Sequence, residues 1–215
     1  MAMPILLLVP LLGGYLLGSI PSGWLAGRLL RGIDIRQEGS GSTGATNVLR
    51  VVGKGPALVV FAVDVLKGTA AVLLARQLLA GGLEPGLLLD GAVVAAGLAA
   101  LAGHIWPVWL GWKGGKAVAT GLGMLLGLAW PVGLACFGIF LAVLTFSRIV
   151  SLSSVVAALA LPLLMLAWST GQGLGARPAY LVLALITAVL VIWRHRSNLQ
   201  RLAAGHEPRL GQRGT

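Results

Sequence analysis

The chain has 215 residues, 57% of them hydrophobic and only 10% charged, which leaves too little polar side chain for a soluble domain and points to an integral membrane protein. Sixteen lysines and arginines against six acidic residues give a formal net charge of +10, a surplus suited to anionic lipid headgroups or phosphorylated substrates. A nucleic-acid-binding module is excluded, because such modules carry their basic residues on soluble scaffolds without long apolar segments.

The first apolar stretch runs from Met3 to Ile20 and continues weakly to Leu30. No basic leader precedes it and no small-residue cleavage site follows, so it reads as a retained span rather than a signal peptide. Further apolar segments run from Pro56 to Leu79, Leu87 to Leu101, Ala117 to Phe146, Val150 to Trp168 and Ala179 to Trp193. Cys136 lies inside one of them; a lone cysteine forms neither an intramolecular disulfide nor a zinc set, and it reads as a packing residue. The Ala117–Phe146 segment, as one helix, would be ~45 Å long against a ~30 Å hydrocarbon core. Trp130-Pro131 offers a turn, dividing it into a short span from Ala117 to Ala129 and another from Pro131 to Phe146.

With that division there are seven crossings, one of them short, the N-terminus outside and the C-terminus cytoplasmic. Arg28, Arg31, Arg36, Arg50, Lys54, Lys113, Lys116, Arg148, Arg194, Arg196, Arg201, Arg209 and Arg213 then all face the cytoplasm, and only Arg177 sits clearly outside. Undivided, the segment would export Arg148 and the arginines of the tail, against the positive-inside bias. The short span must rely on local thinning or on neighbouring helices. No internal repeat is visible, so an inverted-repeat transporter is not suggested. The expectation is an all-α polytopic bundle, one membrane domain over 1–215.

Four polar clusters fall on the predicted cytoplasmic face. The first is a loop from Arg31 to Lys54 containing GSGSTGATNVLR at 39–50. Glycines let backbone N–H groups turn toward an anion, hydroxyls add donors, and an arginine clamps a phosphate through paired hydrogen bonds. The stretch satisfies Gly-x-Gly-x-x-Gly, but a dinucleotide fold needs a hydrophobic strand before it, and residues 34–38 are polar. A flexible connector is the plain alternative, yet it has no need of Thr46, Asn47 and Arg50 in close succession.

The second cluster leads from Gly103-His104 through Trp112 to Lys113-Gly114-Gly115-Lys116. A Gly-Gly-Lys turn opening into a helix would aim free N–H groups, the positive helix end and a lysine at one anion. It is not a Walker A loop, since Leu110 stands where that motif has glycine and Ala117 follows the lysine. Its alternative reading is topology-setting lysines beside an aromatic belt of Trp106, Trp109 and Trp112. The third cluster is Arg148 with Ser151, Ser153 and Ser154, where serines equally serve to cap or pack a membrane helix. The fourth is Arg194-His195-Arg196-Ser197-Asn198-Leu199-Gln200-Arg201. On a helix His195 and Asn198 share a face, which a mere basic anchor would not need. Within the second span, Asp64 and Lys67 are three apart and can satisfy each other, either as a functional pair or as a structural brace. His206 and Glu207, in the polar tail, receive no assignment.

Taken together these motifs resemble the acyl-phosphate-dependent glycerol-3-phosphate acyltransferases of bacteria, the PlsY type. The resemblance covers nearly the whole chain: Gly18-Ser19-Ile20-Pro21, GSGSTGATNVLR at 39–50 with Gly53-Lys54, Asp64-x-x-Lys67-Gly68, GHIWPVWLGWKGGKAVAT at 103–120, Val150-Ser151-Leu152 and RHRSN at 194–198. Two positions depart from the family pattern. Ser42 stands where asparagine is usual, which puts one side-chain contact in question, and Ala117 where glycine is usual, which is expected only to shift how closely the backbone approaches.

The resemblance implies transfer of a fatty acyl group from acyl phosphate to the 1-hydroxyl of glycerol-3-phosphate, giving lysophosphatidic acid and phosphate at the cytoplasmic side of a bacterial inner membrane. Lys116, Arg50, His195 and Asn198 are the implied catalytic residues. Gly39, Ser40, Gly41, Thr46, Asn47, Gly114, Gly115 and Ser151 are the implied substrate-binding ones. Arg50 and Lys116 would offset phosphate charge and the developing oxyanion. The departing phosphate oxygen is expected to take the hydroxyl proton, with His195 the competing base. No histidine has aspartate five residues on, so the chain does not look like the acyltransferases that use that pair. No metal or cofactor is implied, and a monomer is expected. The acyl tail is expected to enter through an opening between helices toward lipid. A transporter or receptor for a phosphorylated small molecule is the alternative from another class; a passive scaffold would leave the four clusters without purpose.

Overall fold

The computed structural model describes residues 3–171 and 177–211. These form α1 (Met3–Gly18), α2 (Ser22–Arg31), α3 (Ala45–Val51), α4 (Lys54–Leu79), α5 (Leu87–Ile105), α6 (Val118–Ser147), α7 (Val150–Gly171), α8 (Pro178–Arg194) and α9 (Arg196–Ala203), with 3₁₀ turns at Ile35–Gln37 and Val108–Leu110. No strand occurs among the described residues. Among the described residues five segments are long and apolar enough to cross a membrane, six if α8 and α9, bent by 56°, are counted as one span. The expected class, an all-helical polytopic membrane protein, is what the chain forms. Arg213, counted above with the cytoplasmic cations, lies outside the described residues. The chain divides into two compact units, Met1–Leu128 and Ala129–Thr215.

Side chains are distributed as lipid requires. Leu58, Leu66, Leu159, Leu163 and Val189 are exposed, whereas Asp64, Lys67, His104, Ser151, Ser153 and Ser154 are buried. Apolar side chains outside and satisfied polar groups inside suit a hydrocarbon surround, where an unpaired polar group costs several kcal/mol.

In the first unit α1 packs on α5 through small residues. Gly14 and Gly18 lie against the backbone of Ala96 and Ala100, so close that a Cβ at Gly18 would collide with the Ala100 carbonyl. Lipid tails are as apolar as leucine, so helices in a bilayer gain by backbone approach and dispersion contact, and small residues permit both. The expected first stretch, Met3 to Ile20 continuing weakly to Leu30, is refined here: Pro21 lacks an N–H and pushes Ile20 out of helical geometry. α1 therefore ends at Gly18 and α2 restarts at Ser22. The carbonyl freed at Ile20 accepts from Lys67 Nζ at 3.0 Å.

The segment expected as a loop between Arg31 and Lys54 contains a helix, α3. A small core of Ile35, Val48, Val52, Ala57 and Val60, flanked by Trp24 and Leu49, fastens it to α2 and α4. The apolar spacing of Val48, Leu49, Val51 and Val52 was masked by the glycine-rich run before it. In α6 the backbone leaves helical geometry at Ala129 (φ −148°, ψ 77°), beside Trp130-Pro131 as the sequence indicates; Pro131 cannot donate to Gly127, and its ring clashes with that carbonyl.

In the second unit α7 and α8 pack together, with Trp168 and Tyr180 stacked 6.1 Å apart. Ser153 and Ser154 donate to the carbonyls of Ile149 and Val150 one turn back, the helix-internal role open to them from the start. Cys136 is buried among apolar side chains.

Candidate functional site

The Asn47 side chain organises the segment from Ile35 to Asn47. It is 1% exposed; its Nδ2 donates to the carbonyls of Ile35, Glu38 and Ser42 at 3.1, 3.0 and 2.9 Å, and its Oδ1 accepts the Ser40 N–H at 2.9 Å. Both of its amide hydrogens and its amide oxygen are engaged in shaping the turn. Ser42 contributes chiefly its carbonyl, the Oγ contact to the Gly44 N–H being a long 3.4 Å. Around this knot Gly39, Ser40, Gly41 and Arg50 are exposed and Thr46 is half-buried. Thr46 and Arg50 stand on α3, not on a loop.

The second segment runs from Pro107 to Ala117 and ends where α6 begins. The N–H groups of Gly114 and Gly115, expected to face an anion, are instead donated to the carbonyls of Ile105 and His104 at 3.1 and 3.0 Å. These glycines allow close approach: a Cβ at Gly115 would meet the His104 ring, and one at Gly114 the His104 carbonyl. Lys116 follows, half-buried. Ala117 has φ +59°, left-handed backbone that costs a non-glycine residue about 1–2 kcal/mol. The expectation that its departure only shifts backbone approach is therefore corrected: the departure bears on conformation, and explains why glycine suits the position.

Arg36 brings the two segments together. Asp34 grips its guanidinium at 2.6 Å, and Arg36 Nη1 donates to the Leu110 carbonyl at 2.8 Å. The Arg36 hydrogen bonds hold the Asp34 carboxyl well below the usual carboxylate range. Neither residue was singled out as a pair in the sequence, although their i, i+2 spacing at the head of the motif was the available signal.

Beneath both segments lies a buried polar network. Asp64 Oδ1 accepts from Ser22 Oγ at 2.7 Å and pairs with Lys67 Nζ at 2.7 Å, so the two charges satisfy each other as their spacing suggests. His104 Nδ1 stands 3.6 Å from the same oxygen and 3.2 Å from Thr120 Oγ1.

In the second unit Ser151 and Asn198 converge on Glu207. Ser151 Oγ and Asn198 Nδ2 both donate to its Oε1, at 2.7 and 2.6 Å, and Arg201 Nε to its Oε2 at 2.9 Å. Glu207 is buried; burial raises its pKa, but the Asn198 and Ser151 hydrogen bonds and the Arg201 charge outweigh that and lower it overall. Sequence reasoning left Glu207 unassigned, because a glutamate in an arginine-rich tail looks like a solvated charge. The tail is tied back again where the Leu210 N–H donates to the Arg148 carbonyl at 2.7 Å. His195 caps α8, buried, with Nδ1 2.8 Å from the Val191 carbonyl. A carbonyl only accepts, so Nδ1 carries a proton, and whenever the ring is neutral its lone pair is at Nε2.

A family model described as glycerol-3-phosphate acyltransferase matches residues 8–205. The chain belongs to this family. It is similar to the glycerol-3-phosphate acyltransferase of Prochlorococcus marinus strain MIT 9313, 70% identical over 95% of each chain, and to that of Synechococcus sp. strain CC9902, 64% identical over 94% of each. Its fold is similar to the crystal structure of PlsY, an integral membrane glycerol 3-phosphate acyltransferase, in the glycerol 3-phosphate form: TM-score 0.83 and 37% identity, over 95% of this chain and 96% of that one. The lysophosphatidic acid form of PlsY matches with TM-score 0.80 and 36% identity, over 95% of each chain. The family membership read from the ordered motifs is thus borne out.

Proposed function

We propose that this chain transfers a fatty acyl group from acyl phosphate to the 1-hydroxyl of glycerol-3-phosphate, the first acylation of phospholipid biosynthesis. The hydroxyl oxygen attacks the acyl carbonyl, a C–O ester bond forms, the mixed-anhydride C–O bond breaks, and phosphate departs with the hydroxyl proton. The observation that carries this reading is the pairing of two segments, one leading into α3 with its exposed Arg50 and the other ending at the half-buried Lys116, fastened to one another through Arg36, in a chain of this family. Two phosphorylated reactants need cations beside an apolar surround, and the exposed leucines of the spans supply the latter.

Arg50 and Lys116 are assigned to offsetting phosphate charge and the oxyanion. Ser40, Thr46 and the exposed backbone at Gly39 and Gly41 are assigned to binding phosphate oxygens. Gly114 and Gly115 act by letting Lys116 sit close to α5, and Asn47 by shaping the turn that presents Ser40 and Arg50. In the second unit His195 and Asn198 are assigned to orienting substrate, and Ser151 to the same set through Glu207. The family model runs through both units, which supports a single acyltransferase domain over 1–215; a monomer is proposed as its working form. The break at Ala129 supports seven crossings; with that count the positive-inside bias favours an N-terminus outside and a site facing the cytoplasm, the proposed membrane being a bacterial inner membrane.

Donor and orientation are tested together in membrane vesicles supplied with labelled glycerol-3-phosphate. Inverted vesicles are expected to form lysophosphatidic acid from acyl phosphate and not from acyl-CoA. Turnover of acyl-CoA would overturn the donor, and activity confined to right-side-out vesicles would overturn the orientation.

A further inference from the structure

Lys116 sits between two attachment points of a single residue. Before it, the Gly115 N–H donates to the His104 carbonyl at 3.0 Å, and the His104 ring lies so close to Gly115 that no side chain fits there. After it, on the first turn of α6, Thr120 Oγ1 meets His104 Nδ1 at 3.2 Å. The backbone that bears Lys116 is therefore pinned on both sides to the end of α5. His104 is in turn set by α4: the Asp64 carboxylate lies 3.6 Å from Nδ1 and is itself held by Lys67 and by Ser22. Asp64, Lys67, His104 and Thr120 are 1, 4, 6 and 0% exposed, so the arrangement is dry and water cannot substitute for a missing partner.

Buried ionised groups in a membrane interior are costly to keep. A brace for α2, α4 and α5 alone would be met by apolar packing; the His104 contacts reach further, to Gly115 and Thr120 on either side of the lysine. We propose that Asp64, His104 and Thr120 are positioning residues, a buried relay that fixes the orientation of His104 and through it the place at which Lys116 is delivered to a substrate phosphate. The inference rests on the assignment of Lys116 to phosphate binding. It gives the Asp64-x-x-Lys67 pair a role in substrate affinity, at a distance from any substrate contact. Ala117, at φ +59° directly after the lysine, is the strained backbone such a pin must hold.

The test uses the full-length protein in detergent, with Thr120→Val and Asp64→Asn, Leu79→Ala as a control, and Lys116→Ala as a reference. Leu79 is fully buried at the far end of α4 and touches none of these residues, so its truncation reports loss of packing alone. Thr120→Val keeps the shape and leaves the Asp64–Lys67 pair intact, so it carries the test should Asp64→Asn not fold. Thr120→Val is expected to raise KM for a phosphorylated substrate ~10-fold, the order of one lost hydrogen bond, with kcat held within about threefold. Leu79→Ala is expected to lower Tm and leave both KM values in place. Wild-type KM values in Thr120→Val while Lys116→Ala is inactive would overturn the relay. Full activity of Lys116→Ala would instead overturn the assignment of the lysine on which the relay rests.

Discussion

His195 is the proposed competitor of the departing phosphate for the hydroxyl proton. Its Nδ1 is committed to the Val191 carbonyl, which leaves Nε2 as the ring's acceptor, the arrangement a base requires and also one that orients a hydroxyl. The account gives the proton to the departing phosphate, whose oxygen is generated beside the attacking hydroxyl. His195→Ala is accordingly expected to reduce kcat by less than ~10²-fold in single-turnover kinetics; a loss of 10²–10⁴-fold would make His195 the base. Glu207 gives a second residue-scale expectation. Its folded pKa is depressed, so its contribution to stability is complete above its unfolded value, about 4.3, and is lost as pH falls through the folded one. Thermal unfolding in detergent should show Tm falling below about pH 4, and Glu207→Gln should flatten that fall; an unaltered profile in the variant would contradict the role. Asn47, Gly114 and Gly115 were recognisable in sequence as important. Which of their atoms do the work was not, because hydrogen-bond partners such as the Ile35 and His104 carbonyls are chosen by the folded chain and leave no trace in spacing.

The helices themselves were largely legible, since long apolar runs bounded by glycine, proline and charge leave few alternatives in a bilayer. The departures have local causes. Pro21 divides the first stretch more sharply than its hydropathy suggests, and α3 is only seven residues long, too short for a periodic signal and dependent on the Ile35–Val48–Val60 core for its stability. Packing between helices was less legible than their existence. Gly18 appeared in a motif, and its partner, the Ala100 backbone, appeared only in the fold. Gly18→Ala is expected to push α1 from α5 and cost about 1–3 kcal/mol, as overpacking does. A lowered Tm in detergent checks it, and a wild-type Tm would show that the α1–α5 contact does not depend on this approach.

Across the whole molecule, charge and composition mark a multi-pass membrane protein, and within each unit a buried acidic residue gathers polar groups: Asp64 in the first, Glu207 in the second. Neither acid was assigned a substrate role: Glu207 holds Asn198 and Ser151, which were, and Asp64 is proposed to act on Lys116 only through His104. Arg50 and Lys116 are proposed to serve transfer from acyl phosphate, and the decisive experiment is phosphate release from palmitoyl phosphate by the purified protein. Release is predicted to depend on glycerol-3-phosphate and to collapse in both Arg50→Ala and Lys116→Ala. Absence of release from folded protein that binds glycerol-3-phosphate would contradict the account and favour a transporter or receptor using the same cationic segments.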